Sequence, residues 1–375
     1  MTTDREFVPS RLVFARRRAG IARTHLAAAI GVSDKTVQRW ENGSEEPSAE
    51  RCAELARVLK VLPEFFGMAE MDLLEVEAVS FRALTKMTAR ERDRARTAGR
   101  QGVAIMDWIE QRFTLPSNDI PPLTDRDPEV AAEMLRAAWN LGPGPIRHLL
   151  ATMELHGVRI MSIASDFRDV DAFSFYHRGT PFVFLDTSKT AERLRFDAAH
   201  ELGHLCIHCA HAVPHGREAE AAANQFASAL LMPRNDVLAV GLRNPSVAQI
   251  IRAKARWNVS ATALANRLHS LGLMTDWTYR ATLVELSKRG FRSAEPGSVL
   301  AHESSQVLGK VLAALRGQGM TVREIAKQFG LTPDGVNEYM FGLTMTQHVG
   351  SGTRKVSDEV PRPQLSVVSD HVSVR

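Results

Sequence analysis

The chain has 375 residues, 44% of them hydrophobic and 24% charged, with 47 Lys and Arg against 43 Asp and Glu. At roughly 100–200 residues per domain, that length predicts two or three domains, and the balance excludes wholesale disorder, collagen-like repeats and a disulfide scaffold. Only three cysteines occur, no apolar run reaches the roughly 18 residues that span a bilayer, and the start Met1–Glu6 is acidic where a secretory signal is positive, so a cytoplasmic protein without a membrane partner is expected.

The net charge of +4 is too small to establish nucleic-acid binding, but its distribution is informative. Arg16, Arg17 and Arg18 cluster near the start. Arg90, Arg92, Arg94, Arg96 and Arg100 alternate with Glu91 and Asp93 and read as a solvated helix face.

Residues up to about Phe66 read as short helices. Leu12, Ala15 and Arg16 lie in one, and Leu26, Ala27 and Ile30 form the stripe of a second. Gly31 stops that helix, and Ser33 is the N-cap of a third that closes at Asn42-Gly43. Pro47-Ser48 opens a fourth. A helical pattern continues through Val76, Val79 and Phe81, then Ile105, Trp108, Ile109 and Phe113. The turn-rich stretch Leu115–Pro122 is a domain-boundary candidate. A helix from about Pro128 to Asn140 follows. The period then changes: Val158–Ile163 is strand-like, and Phe173–His177 and Pro181–Leu185 flank Gly179 as a β-hairpin. Helices are expected again from about Thr190 to Cys209, from Glu218 to Met232, and onward to about Leu343. The remainder lacks large apolar groups and reads as a flexible tail.

The sharpest signal is His200-Glu201-Leu202-Gly203-His204. Histidines four apart on a helix are separated by only about 40° around its axis, so both imidazoles can reach one metal ion. Glu201 sits on the flank of that face, where a general base for an attacking water belongs. A catalytic zinc site normally has three protein ligands and one open position. The next helix offers Glu218 and Glu220, about 200° apart, so only one can face the metal. Glu220 shares its face with Ala223, Asn224 and Ala227, small residues that permit close helix approach, and is the choice. Asn224 can orient a ligating histidine. Cys206-Ile-His-Cys209, with His208 and His211 nearby, reads as two half-buried cysteines at a helix end. His215 and Tyr176 are possible oxyanion donors that no spacing supports.

The stretch Arg195-Phe-Asp-Ala-Ala-His-Glu-Leu-Gly-His204, followed by Glu220-Ala-Ala-Ala-Asn-Gln-Phe-Ala-Ser-Ala-Leu-Leu-Met-Pro233, closely resembles the ImmA/IrrE zinc metallopeptidases, with similarity from about Pro128 to Pro233. The resemblance implies Zn2+ held by His200, His204 and Glu220, and Glu201 as catalytic base.

His25 to Gly43 resembles the helix-turn-helix of the Cro/C1-type (XRE) repressors, which implies double-stranded DNA as a partner. Val37 and Trp40 would be buried, and Lys35, Thr36, Gln38 and Arg39 would face the major groove. Ala22-Arg23 replaces the family's usual Thr-Gln, which weakens the cap, with Arg23 left to contact phosphate. Thr321–Val336 again reads as helix, Gly turn and capped helix, but Asp334 and Glu338 would repel phosphate, and a packing unit is the better reading.

The expected fold is α+β and predominantly helical, with a helix-turn-helix bundle (1–66), a helical connector (67–127), a zincin-like peptidase core with a small sheet (128–275), a helical C-terminal domain (276–343) and a tail (344–375). The expected function is zinc-dependent, site-specific cleavage of a transcriptional repressor, releasing stress-response or mobile-element genes, with a homodimer among the possible assemblies. The substrate class comes from the resemblance. The alternative is an XRE-type regulator that cuts nothing and whose zinc is structural or sensory.

Overall fold

The computed structural model describes residues 6–72, 74, 79–81, 88–124, 126–163, 172–207, 216–291, 294–342 and 366–367. Four helices open the chain: α1 (Pro9–Arg18), α2 (Arg23–Ala29), α3 (Asp34–Glu41) and α4 (Ala49–Leu59). The starts of α3 and α4 and the turn after α2 have local causes. Ser33 caps α3 by accepting from the Thr36 amide at 3.1 Å, Ser48 caps α4 through the Arg51 amide, and Gly31 turns the chain at φ +66°. Leu26, Ala27, Ile30, Val37 and Trp40 are buried, and Arg16 pairs with Glu41 to tie α1 to α3.

Next come β1 (Val79–Phe81), the long α5 (Ala89–Glu110) with a Thr88–Glu91 capping box, and β2 (Phe113–Thr114). The helical pattern expected through Val79 and Phe81 is overturned here. These residues form a strand, because a partner edge is available to β-branched and aromatic residue types. Val76 lies outside the described residues. The arginine run of α5 is not the solvated face expected: Arg94 donates to the Arg18 carbonyl and Arg96 to the Leu74 carbonyl.

Helices α6 (Pro128–Ala138) and α7 (Leu149–Leu155) lead to β3 (Arg159–Ile163), β4 (Ala172–His177) and β5 (Thr180–Asp186). The sheet order is β1-β4-β5-β3, with β3 parallel to β5 and the other pairs antiparallel. Arg178 and Gly179 make the hairpin turn, both at positive φ, which matches the twist of the flanking strands. One face of the sheet is aromatic. Phe173 lies opposite Phe184 and Phe175 opposite Phe182, with ring centroids 4.7 and 5.3 Å apart. Helix α5 covers that face at a separation only glycine permits, since a Cβ on Gly102 would come within 2.5 Å of the Phe184 ring. The opposite face carries Ile160, Val183 and Leu185 into a second core built around α8 (Ala191–Ile207).

That second core is completed by α9 (Arg217–Leu231), α10 (Arg234–Ala239), α11 (Val247–Ala253), α12 (Ala261–Ser270) and α13 (Asp276–Lys288). Helix α13, expected to begin the C-terminal domain, thus packs with α12. Helices α14 (Gln306–Gly317), α15 (Val322–Gln328) and α16 (Pro333–Asn337) instead join the N-terminal bundle and the aromatic face in the first core. Val61 bridges Leu331, and the Leu62 amide donates to the Gly330 carbonyl at 2.8 Å. The helix pair at 321–336 therefore packs onto the N-terminal bundle. In the stretch expected to be a free tail, β6 (Ser366–Val367) pairs with β2, and the rest of that stretch lies outside the described residues. No helix among the described residues is long and apolar enough to cross a membrane.

One buried carboxyl joins the two cores. Glu154 of α7 accepts from the Ser305 hydroxyl and from the Gln306 and Val307 amides at the start of α14. Burial pushes its pKa up to about 7, against the lowering effect of those hydrogen bonds. The folded chain therefore holds this proton where the unfolded chain has lost it. The stabilisation is full below the unfolded value of about 4.3 and is lost as pH rises through the folded value. Relative to Glu154→Gln, the native chain should gain roughly 1–3 kcal/mol as pH falls from about 8 to about 5, read by urea unfolding. Parallel pH profiles for the two proteins would contradict this.

Candidate metal centre and nucleic-acid interface

Helix α8 is buried almost all round. Leu194, Ala198, Ala199, Leu202, Leu205 and Cys206 are core residues, so the helix carries its ionisable groups into the interior. His200 and Glu201 are 0% exposed and His204 is 4% exposed. Burying such groups is costly unless they are hydrogen-bonded, paired or metal-bound.

Helix α9 supplies the third donor because it crosses α8 closely. A Cβ on Gly203 would meet the Phe226 ring at 2.9 Å, and Ala219, Ala223 and Ala227 are buried on the facing helix. The Glu220 carboxylate then lies 3.5 Å from His200 Nε2 and 3.4 Å from His204 Nε2, while the two Nε2 atoms are 3.1 Å apart. Four ligands at about 2.0–2.1 Å around tetrahedral zinc would be spaced by about 3.3 Å. The donor set fits such an ion in both chemistry and spacing, and these three residues form a group that could hold a metal. Glu218 is exposed on the same helix. Burial would raise the Glu220 carboxyl, but the two imidazoles more than offset this and hold it at about 2.

Asn224, one turn beyond Glu220, places Oδ1 3.1 Å from His200 Nδ1. A proton on Nδ1 donated to that carbonyl leaves the Nε2 lone pair directed at the cluster. Glu201 is held from the sheet. The Ser174 hydroxyl of β4, itself fully buried, donates to Glu201 Oε2 at 2.7 Å. Sequence reasoning missed Ser174. Its signal was a small hydroxyl between Phe173 and Phe175, on the opposite strand face from both rings. Tyr176, two residues on, donates to the Leu205 carbonyl at 3.1 Å. Cys206 is buried, whereas His208, Cys209, His211 and His215 lie outside the described residues. A cleft of about 1240 Å³, lined by Arg193, Phe196, Asn224, Gln225, Ser228 and Asn266 among others, is bordered by the same Asn224 that contacts His200.

In the N-terminal bundle, Lys35, Gln38 and Arg39 of α3 are exposed with the rest of the chain in place, so domain packing leaves that helix face open. Thr36 is half-buried, its hydroxyl 2.8 Å from that of Ser33. Arg23 forms a two-pronged pair with Asp34, both contacts at 2.8 Å, and Arg39 pairs with Glu45 at 2.8 Å. Hydrogen bonding from Arg23 holds the Asp34 carboxyl below its ordinary range. Exposed pairs of this kind are weak, and a phosphate can compete for either arginine.

Residues 153–269 match the peptidase M78 model, described as the IrrE N-terminal-like domain, and residues 14–66 match a helix-turn-helix model. No curated protein matches the chain. The cluster on α8 and α9 lies inside the first match, and α2 and α3 lie inside the second. The chain therefore carries an XRE-type helix-turn-helix domain and an IrrE-like metallopeptidase domain.

Proposed function

We propose that this protein is a DNA-binding, zinc-dependent endopeptidase that cuts a transcriptional repressor at a specific site and so derepresses stress-response or mobile-element genes. The observation that carries the reading is the trio of donors at zinc-like spacing, two buried histidines and the half-buried Glu220, with Glu201 next in sequence to His200. His200, His204 and Glu220 hold the metal, and Asn224 fixes the His200 ring. Zinc bound there supplies Lewis acidity at the scissile carbonyl. Glu201 takes the proton of the attacking water and returns it to the leaving amine, and Ser174 holds the carboxylate in place for that exchange. The cleft beside Asn224 offers amide and hydroxyl groups to a polypeptide. The working compartment is the cytoplasm.

Purified full-length protein, incubated with the repressors encoded in its genome, should cut one of them at one site, and a chelator should stop the cut. Casein should be cut barely at all, because an unselective cytoplasmic peptidase would destroy nascent chains. A chain that binds zinc and DNA but cleaves no repressor would be a regulator with a structural or sensory metal. Rapid casein hydrolysis would leave only a general peptidase.

Binding to DNA through α3 would concentrate the enzyme beside a repressor on a shared promoter. Lys35, Thr36, Gln38 and Arg39 face the groove, and Arg23 reaches phosphate by giving up Asp34. A homodimer would place two such helices on neighbouring half-sites. Affinity for duplex DNA, followed by fluorescence anisotropy, should fall steeply as salt rises. Gln38→Ala should alter sequence preference, whereas Arg23→Ala should weaken all sequences alike. Absence of binding to any duplex at low salt would assign this bundle to a protein partner.

A further inference from the structure

Extended peptides bind sheets by adding a strand, so the position of the usable edge matters. Glu201 receives its hydrogen bond from Ser174, and the Leu205 carbonyl on the same helix receives one from Tyr176. Both donors belong to β4. Strand β4 is therefore the strand whose side chains are hydrogen-bonded to the metal-binding helix at Glu201 and Leu205. The outer strand β3 sits beyond β5, two ladder steps and about 10 Å away in the plane of the sheet. A peptide strand added to β3 would lie too far from Glu201 for its carbonyl to be attacked. One added to the side of β4 that faces away from β5 would lie next to it.

That side of β4 is already taken. Strand β1 pairs there antiparallel, with Val79 opposite Phe175, Ser80 opposite Ser174 and Phe81 opposite Phe173. Ser80, at the centre of β1, thus sits opposite the residue that holds Glu201. The ladder is only three residues long, and it comes from the connector between the DNA-reading bundle and the peptidase domain.

We infer that residues Val79–Phe81 occupy the substrate edge of β4 as an intramolecular strand, so that an extended polypeptide gains the edge only when β1 leaves it. This rests on the peptidase reading above. An occupant of so short a ladder is displaceable, and it lowers the apparent affinity of every strand-like ligand by the fraction of time the edge is free. Ligands that need the metal but not the edge are unaffected. The same pairing limits cleavage of casual exposed strands in the cell.

The test uses zinc-loaded full-length protein and two non-hydrolysed probes, a tripeptidyl hydroxamate that needs both metal and edge, and acetohydroxamate that needs the metal alone. Ser80→Pro fixes φ and removes an N–H in the centre of β1. A second variant replaces Val79, Ser80 and Phe81 together by glycine and keeps the connector length. Both variants should bind the tripeptidyl probe about tenfold tighter or more, with acetohydroxamate affinity changed less than about twofold. Amide exchange at Phe173–Phe175 should speed up in both. Unchanged affinity for the tripeptidyl probe, with acetohydroxamate still bound, overturns the occluded edge and leaves the peptidase reading standing. Failure of acetohydroxamate to bind the native protein overturns the metal centre, and the occluded edge falls with it.

Discussion

Glu201→Gln is expected to abolish repressor cleavage, by about a thousandfold or more, while zinc content and fold stay as they are. The size follows from the role. A positioned general base contributes about 10²–10⁴-fold, and a carboxamide cannot take the proton at all. Retention of the metal follows from geometry, because among the described residues the three donors within metal-binding reach of one another are His200, His204 and Glu220. The fold is spared as well. Glutamine has nearly the same shape, and its carbonyl oxygen can still accept from the Ser174 hydroxyl that now reaches Glu201 Oε2. Cleavage assays run beside elemental analysis separate the two effects. A Glu201→Gln protein that loses its zinc would make this residue a ligand and remove the base from the mechanism. Ser174→Ala should fall between the two proteins in rate, since it loosens the base without removing it.

The features legible in the sequence were those written in local spacing. The interval between His200 and His204 fixes their common face by helix geometry alone, and Gly31 with Ser33 marks the turn and cap between α2 and α3 wherever the bundle packs. The β4–β5 hairpin was similarly visible from alternating residues around Gly179. What escaped was set by partners distant in sequence. Val79–Phe81 is three residues in a helix-like context and becomes a strand because β4 offers an edge. Arg94 and Arg96 resemble solvent-facing charge until the Arg18 and Leu74 carbonyls are brought to them. Ser174 is one hydroxyl among phenylalanines until α8 places Glu201 against it. Nothing in the periodicity of α14–α16 shows that these helices return to the N-terminal bundle, because their apolar stripes would serve any facing surface.

Glu220→Ala should strip the metal from the protein at micromolar zinc, and Glu218→Ala should leave it bound. The two carboxylates lie two residues apart on α9, so their contrast isolates geometry from charge: each substitution removes one negative charge from the same helix. Glu220 stands 3.4–3.5 Å from both Nε2 atoms, whereas Glu218 is exposed. His200→Ala and His204→Ala should match Glu220→Ala, because two remaining ligands hold zinc poorly. Asn224→Ala should cost about 10–100-fold in affinity and no more, since it acts on the His200 ring and not on the ion. Thermal unfolding gives an independent readout. A ligand that binds only the folded state stabilises it by RT ln(1 + [L]/Kd), so added zinc should raise the midpoint of the native protein and of Glu218→Ala. It should leave Glu220→Ala unmoved. Full zinc occupancy in Glu220→Ala, with loss in Glu218→Ala, would transfer the third ligand to Glu218 and require α9 to turn by about 160° from the orientation that now buries Ala223 and Ala227 against α8.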